Sequence, residues 1–238
     1  LWSGGPQPDS TDYNGGNYQD RYKVLAEIRK ALEEGNRQKA KQLAERNLVG
    51  PNNAQYGRYL SFGDIFMVFN NQKKGLENVT DYHRGLDISE AISTTSYTQD
   101  GTNFKRETFS SYPDDVTVTH LSKKGDKTLD FTLWNSLTED LIANGDYSWE
   151  YSNYKQGAVT TDSNGILLKG TVKDNGLKFA SYLGIKTDGQ VTAQDGYLTV
   201  TGASYATLLL SAKTNFAQNP KTNYRKNIDL ENTVKSIV

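Results

Sequence analysis

From Tyr59 to about residue 213 the apolar side chains of this chain alternate, one position in two, and the runs are cut by Asn-Gly and Asp-Gly dipeptides. A period of two puts successive side chains on opposite faces of a strand. Asn-Gly at 144–145, 164–165 and 175–176 and Asp-Gly at 100–101, 188–189 and 195–196 tolerate the positive φ that tight hairpin turns need. The strands expected are 59–70, 91–98, 103–111, 115–122, 128–135, 157–161, 165–172, 177–186, 190–194, 197–202 and 205–213. They exceed what one open twisted sheet holds comfortably, so the sequence predicts a mainly β, antiparallel body of two large sheets packed face to face.

The N-terminal region follows other rules. Residues 1–18 are dense in Gly, Pro, Asn, Asp and Ser and read as loop. Across 19–34 the apolar residues Tyr22, Leu25, Ile28 and Leu32 recur at three and four, with Gly35 as a stop. Asn36 caps a second helix that runs through Ala40, Leu43 and Ala44 to about Asn47, before Gly50 and Pro51. A pair of α-helices near the N-terminus is thus expected at about 19–49. After residue 214, Ile228, Leu230, Val234 and Ile237 mark a linker entering a helix. The chain opens inside a turn, "LWSGGPQP", and closes inside that helix, which is the pattern of a domain excised from a longer protein.

Composition narrows the function. The 27 basic and 28 acidic residues leave a net charge of −1, so no field favours nucleic acid or an anionic membrane surface. No apolar run approaches the ~20 residues of a membrane helix. Mean hydropathy is low at −0.70, yet 8 Phe, 15 Tyr and 3 Trp supply large surfaces for burial. Cysteine is absent, which removes disulfides, thiolate nucleophiles and Cys-based zinc sites together. The compartment stays open.

Chemistry-bearing patterns are sparse. The only histidines are His83, in the loop-like "DYHRGLD", and His120, in an alternating strand; G-x-S-x-G, H-E-x-x-H, EF-hand and phosphate-cradling glycine patterns are missing. No catalytic residue, metal or cofactor is expected. Glycoside hydrolysis needs two carboxyl groups placed across a sugar, and Asp64, Asp87, Glu107 and the pair Asp114–Asp115 are the candidates by context. Structural roles account for most of them: Asp114 follows Pro113 in a turn, and Glu107 is flanked by Lys105 and Arg106. Asp64 differs, a carboxylate within the aromatic stretch "SFGDIF", where such a group is usually paired or placed at a site. Trp2, Tyr13, Tyr18, Tyr56 and Tyr59 lie in or near loops and Trp134 and Trp149 near "NSLTEDLIANGDYSWEY", all able to stack on sugar rings.

"LWSGGP", then "EIRKALEEGNRQKAKQLAERNLVGP", "YLSFGDIFMVF", "VTDYHRGLDISEAISTTSYTQDGTNFKRETFSSYPDDVTVTHL" and "SYATLLLSAKTNF" resemble, in order and spacing, the N-terminal domain of glycoside hydrolase family 95. That family consists mainly of α-L-fucosidases acting on Fucα1-2Gal ends of glycans. The resemblance implies a β super-sandwich over residues 1–213 with the helix pair inserted, and a linker from 214–238 toward an (α/α)6 barrel that carries the inverting catalytic residues. It further implies that the opening strands of the sandwich precede this chain, leaving an unpaired sheet edge. Under it the domain packs on the barrel of its own chain and meets fucosylated oligosaccharide only through the full-length enzyme; the alternatives are an independent carbohydrate-binding module and a purely structural scaffold for the barrel. Trp2, Ser3, Tyr59 and Asp64 are then the candidates for substrate or domain contact.

Overall fold

A computed structural model describes residues 20–48, 60, 62–69, 78–136, 155–173 and 175–238. The chain divides into two units, Leu1–Leu60 and Ser61–Val238.

In the first unit a 3-10 turn, Arg21–Val24, leads into α1 (Leu25–Glu33), and α2 (Arg37–Asn47) follows after a short connection. Asn36 caps α2 as its sequence predicts, its side chain accepting from the Lys39 N–H at 3.0 Å. Ile28, Ala31 and Ala40 form the buried seam of the hairpin. Small residues on the facing turns let the two helices approach. Arg21 donates to the Asn47 side chain at 2.9 Å, which ties the entry of α1 to the end of α2.

The second unit is an antiparallel sandwich with twelve strands among its described residues: β1 (Ile65–Phe69), β2 (Val79–Asp87), β3 (Ile92–Gln99), β4 (Thr102–Ser111), β5 (Val116–Lys124), β6 (Leu129–Asn135), β7 (Lys155–Asp162), β8 (Gly165–Val172), β9 (Lys178–Thr187), β10 (Gln190–Gln194), β11 (Tyr197–Ala203) and β12 (Tyr205–Thr214). The larger sheet has the order β2-β3-β4-β5-β12-β9-β8-β7, and the smaller one β1-β6-β11-β10. Asp100-Gly101 and Asp195-Gly196, with positive φ at both positions, turn the β3–β4 and β10–β11 hairpins. The turn chemistry legible in the sequence therefore sets the hairpin register. At 188–189 the aspartate acts differently. The Asp188 carboxylate accepts from the backbone N–H groups of Ser204 and Tyr205 and from the Ser204 hydroxyl, bracing two connections on one end of the sandwich.

Between the sheets, Phe131 and Leu133 of β6 and Leu198 and Val200 of β11 meet Ile166, Leu183 and Leu208 of the larger sheet. Leu133, Leu198 and Val200 are fully buried. Alternation puts their sequence neighbours on the opposite, outer face of the smaller sheet.

One segment departs from the sequence reading. "DYHRGLD" is a strand, not a loop, and His83 lies in β2 facing Ser96. Its periodicity is hidden by a bulge: Asp81 has φ 53° and the pairing slips between Thr80 and His83. The C-terminal helix α3 (Leu230–Ile237), expected as the entrance of a linker, is docked on the sandwich. Leu230 and Val234 bury against Leu167, Ala180 and Tyr182. These alternate with the core residues Ile166 and Leu183, so α3 covers the outer face of the larger sheet.

Electrostatics reinforce that docking. Glu231 accepts from Lys169 of β8 at 2.6 Å and from Lys235 one turn along α3 at 2.9 Å. The Lys169 hydrogen bond, then that of Lys235, holds the Glu231 carboxyl below its ordinary value of 4.5. A folded-state value below the unfolded one means that the contribution is present above pH 4.5 and lost as pH falls through the folded value. Amide exchange at Val234 is therefore expected to accelerate in acid more than exchange at Phe131 in the core. A constant ratio between the two sites from neutral pH to about pH 3 would contradict this.

Candidate functional site

The outer face of the smaller sheet carries three rows of side chains, each set by strand register. The first begins at Asp64, just ahead of β1. Its N–H donates to the Ser136 hydroxyl at 2.8 Å, and its carbonyl accepts from the Ser136 N–H at 2.8 Å. This continues the ladder in which Ile65 faces Asn135. Asp64 is exposed, which corrects its reading as a carboxylate in the middle of a strand: it stands at the mouth of β1, solvated. Burial does not force a charged partner on it.

The second row is aromatic. Phe66 faces Trp134 across β1 and β6, with ring centroids 5.4 Å apart, and Trp134 meets Tyr197 of β11 at 5.5 Å. Gln194 of β10 lies opposite Tyr197 and extends the row. Three rings thus run across three neighbouring strands, spaced as the strands themselves are. Phe66 is 45% exposed, and Trp134 and Tyr197 are half-buried.

In the third row Val68 faces Thr132, Thr132 faces Thr199, and Thr199 faces Thr192. The Thr132 and Thr199 hydroxyls are hydrogen-bonded at 3.1 Å. A shallow depression of about 340 Å³ lies over this corner, lined by Thr132, Thr192, Gln194, Asp195, Tyr197 and Thr199. Among the described residues the lining carries no Lys or Arg. A neutral ligand with one apolar face and a hydroxylated edge matches such a surface better than an anion does.

A second concavity, about 300 Å³, opens between the sheets beside β1, where Tyr82, Tyr97 and Arg106 of the larger sheet overhang Met67 and Phe69. Among the described strands, eight in the larger sheet face four in the smaller one. Among the described strands β1 pairs only with β6.

The remaining carboxylate candidates each have a hydrogen-bond or ion-pair partner. Asp87 accepts from Ser89 and from the Glu90 N–H, and the Ser89 hydroxyl chiefly makes it a stronger acid than usual, opposite to what a general acid requires. Asp114 bonds the Ser111 hydroxyl, Asp115 pairs with Lys213 at 2.5 Å, and Glu107 pairs with Lys105 at 2.8 Å. His120 contacts the Thr207 hydroxyl at 2.9 Å and stacks near Tyr205. Among the described residues no group of three or more His, Asp or Glu is placed to hold a metal ion. Trp2, Ser3 and Tyr59 lie outside the described residues, as do Tyr13, Tyr18, Tyr56 and Trp149. Sequence reasoning picked out Asp64 and Trp134 separately. It missed Phe66, Tyr197 and Thr199, which only the strand register brings together.

Residues 1–219 match the family model described as "Glycosyl hydrolase family 65, N-terminal domain". The chain belongs to that family. Two curated relatives are fucosidases by name. Alpha-L-fucosidase 2 of Arabidopsis thaliana is 25% identical over 240 residues, 91% of this chain and 25% of its own length. Probable alpha-fucosidase A of Aspergillus niger is 30% identical over 142 residues, 58% of this chain and 16% of its own. The chain thus spans a quarter or less of the relatives it matches. Its likeness to family 95 holds at the level of an N-terminal glycoside hydrolase domain.

Proposed function

We propose that this family 65-type N-terminal domain is the non-catalytic β domain of an α-L-fucosidase of glycoside hydrolase family 95, which removes terminal α-1,2-linked fucose from glycans by an inverting mechanism. The observation that carries the reading is the match of nine-tenths of the chain to a quarter of an α-L-fucosidase. The catalytic carboxyl groups belong to an (α/α)6 barrel elsewhere in the same protein. This domain packs on that barrel, and the segments around Trp2, Ser3, Tyr59 and Asp64 are the contacts it offers to the barrel or to the rim of its cleft.

Physical chemistry supports the division of labour. Inversion needs two carboxyl groups about 6.5–9.5 Å apart, one of them a weakened acid poised to protonate the leaving oxygen. Asp87 and Asp114 are instead tied to turn hydroxyls, and Asp115 and Glu107 to lysines; the Ser89 hydroxyl makes Asp87 a stronger acid than usual. A full-length protein containing this chain, given 2′-fucosyllactose, is expected to release fucose first as the β-anomer, seen by proton NMR before mutarotation. Early α-anomer would overturn the inverting mechanism, and faster release from α-1,3-linked than from α-1,2-linked fucose would overturn the linkage.

A further inference from the structure

We infer that the outer face of β1, β6 and β11 is a carbohydrate-binding surface that takes a neutral oligosaccharide on the Phe66–Trp134–Tyr197 row; its fucosylated identity rests on the fucosidase reading above.

The first argument is the exposure. Phe66 and Val68 stand 45% and 52% exposed on a face whose reverse side, through Leu133 and Leu198, is fully buried. Apolar side chains lined up on the wet side of a sheet add nothing to its core and mark a contact surface. The second is the shape of what would fit. Rings 5.4 and 5.5 Å apart form a strip crossing three strands, while the hydroxyls of Thr132 and Thr199 run parallel to it, one residue pair further along. A pyranose presents an apolar C–H face and an equatorial rim of hydroxyls. Its face lies on the rings and its rim reaches the threonines, the Gln194 amide and the Asp195 carboxylate. The third is the depression of about 340 Å³ against Tyr197, at the small end of ligand sites. The fourth is charge. With no Lys or Arg among the described residues of the aromatic row or of the depression's lining, and the Asp195 carboxylate in that lining, the surface suits an uncharged ligand better than phosphate or sulfate.

The test is a titration of the 238-residue chain with 2′-fucosyllactose and, separately, with maltotriose, following the Trp134 indole N–H and Gln194 side-chain resonances. Saturable shifts at those two sites, with a Kd in the high micromolar to low millimolar range, are expected. Trp134→Ala is expected to weaken binding about tenfold or more. Because that ring also packs on its neighbours, Phe66→Ala serves as the second variant. It removes an exposed ring, should keep the far-UV spectrum and unfolding midpoint, and is expected to weaken binding about threefold or more. Saturation by maltotriose as strong as by 2′-fucosyllactose would support the surface while contradicting its fucosylated ligand. The inference is overturned by no saturable binding of either sugar, by binding that both variants leave unchanged, or by self-association through this face without sugar binding.

Discussion

Truncating Phe131 to alanine is expected to cost about 3–5 kcal/mol of stability, the range for removing a fully buried phenylalanine. Phe131 has 0% exposure at the middle of β6, faces Phe69 of β1 on one side and Val200 of β11 on the other, and its ring meets Phe69 at 5.5 Å. Its removal leaves a cavity where the two sheets meet, and close-packed neighbours on both sheets cannot collapse to fill it. The urea midpoint should fall with the slope unchanged, since the surface exposed on unfolding is nearly the same. Phe66→Ala, on the same sheet but its outer face, should cost under about 1 kcal/mol. Equal losses for the two would contradict the assignment of inner and outer faces.

The second large effect is expected at Gly63. This residue has φ +100°, and a Cβ built on it would lie 2.1 Å from Oδ1 of Asn135, a side chain that is itself buried. Gly63→Ala therefore strains the backbone and displaces a buried amide together. A residue forced into so sparse a region costs about 1–3 kcal/mol before the collision is counted. The change also disturbs the entry of β1, where Asp64 and Ser136 exchange hydrogen bonds at 2.8 Å. Chemical shifts at Ser136 and Trp134 should move with the loss of stability. A variant as stable as the parent would show that the turn relaxes, and that Gly63 does not fix the mouth of the aromatic face.

Much of this fold is legible in the sequence because its information is local. Asn36 caps the helix it is expected to cap, and the strands read from alternation at 165–172 and 190–194 match β8 and β10 residue for residue. The stretch 59–70 reads as one strand, yet among the described residues β1 begins at Ile65, because the positive φ at Gly63 breaks the extended backbone before it. β2 escapes notice for a related reason, its alternation being shifted by the bulge at Asp81. The helix at the C-terminus is visible as a period, but its seat on Leu167 and Tyr182 is not, since both faces of β8 and β9 are apolar and the sequence does not say which one a helix will cover.

The candidate site is harder to read for the same cause on a larger scale. Trp134 is visible as an aromatic residue in a strand. Its partners Phe66 and Tyr197 come from strands more than sixty residues away on either side, and period two carries no record of which strands pair or in what register. Asp64 draws attention as an unusual carboxylate, and it does border the aromatic row, but as a solvated residue at the start of β1.

The most direct measurement is an assay of the 238-residue chain alone on 2′-fucosyllactose, with free fucose determined against a protein-free blank. A non-catalytic β domain releases none, at any pH where it is folded. Turnover above the blank that survives repurification would contradict that role and require a pair of catalytic carboxyl groups within this chain.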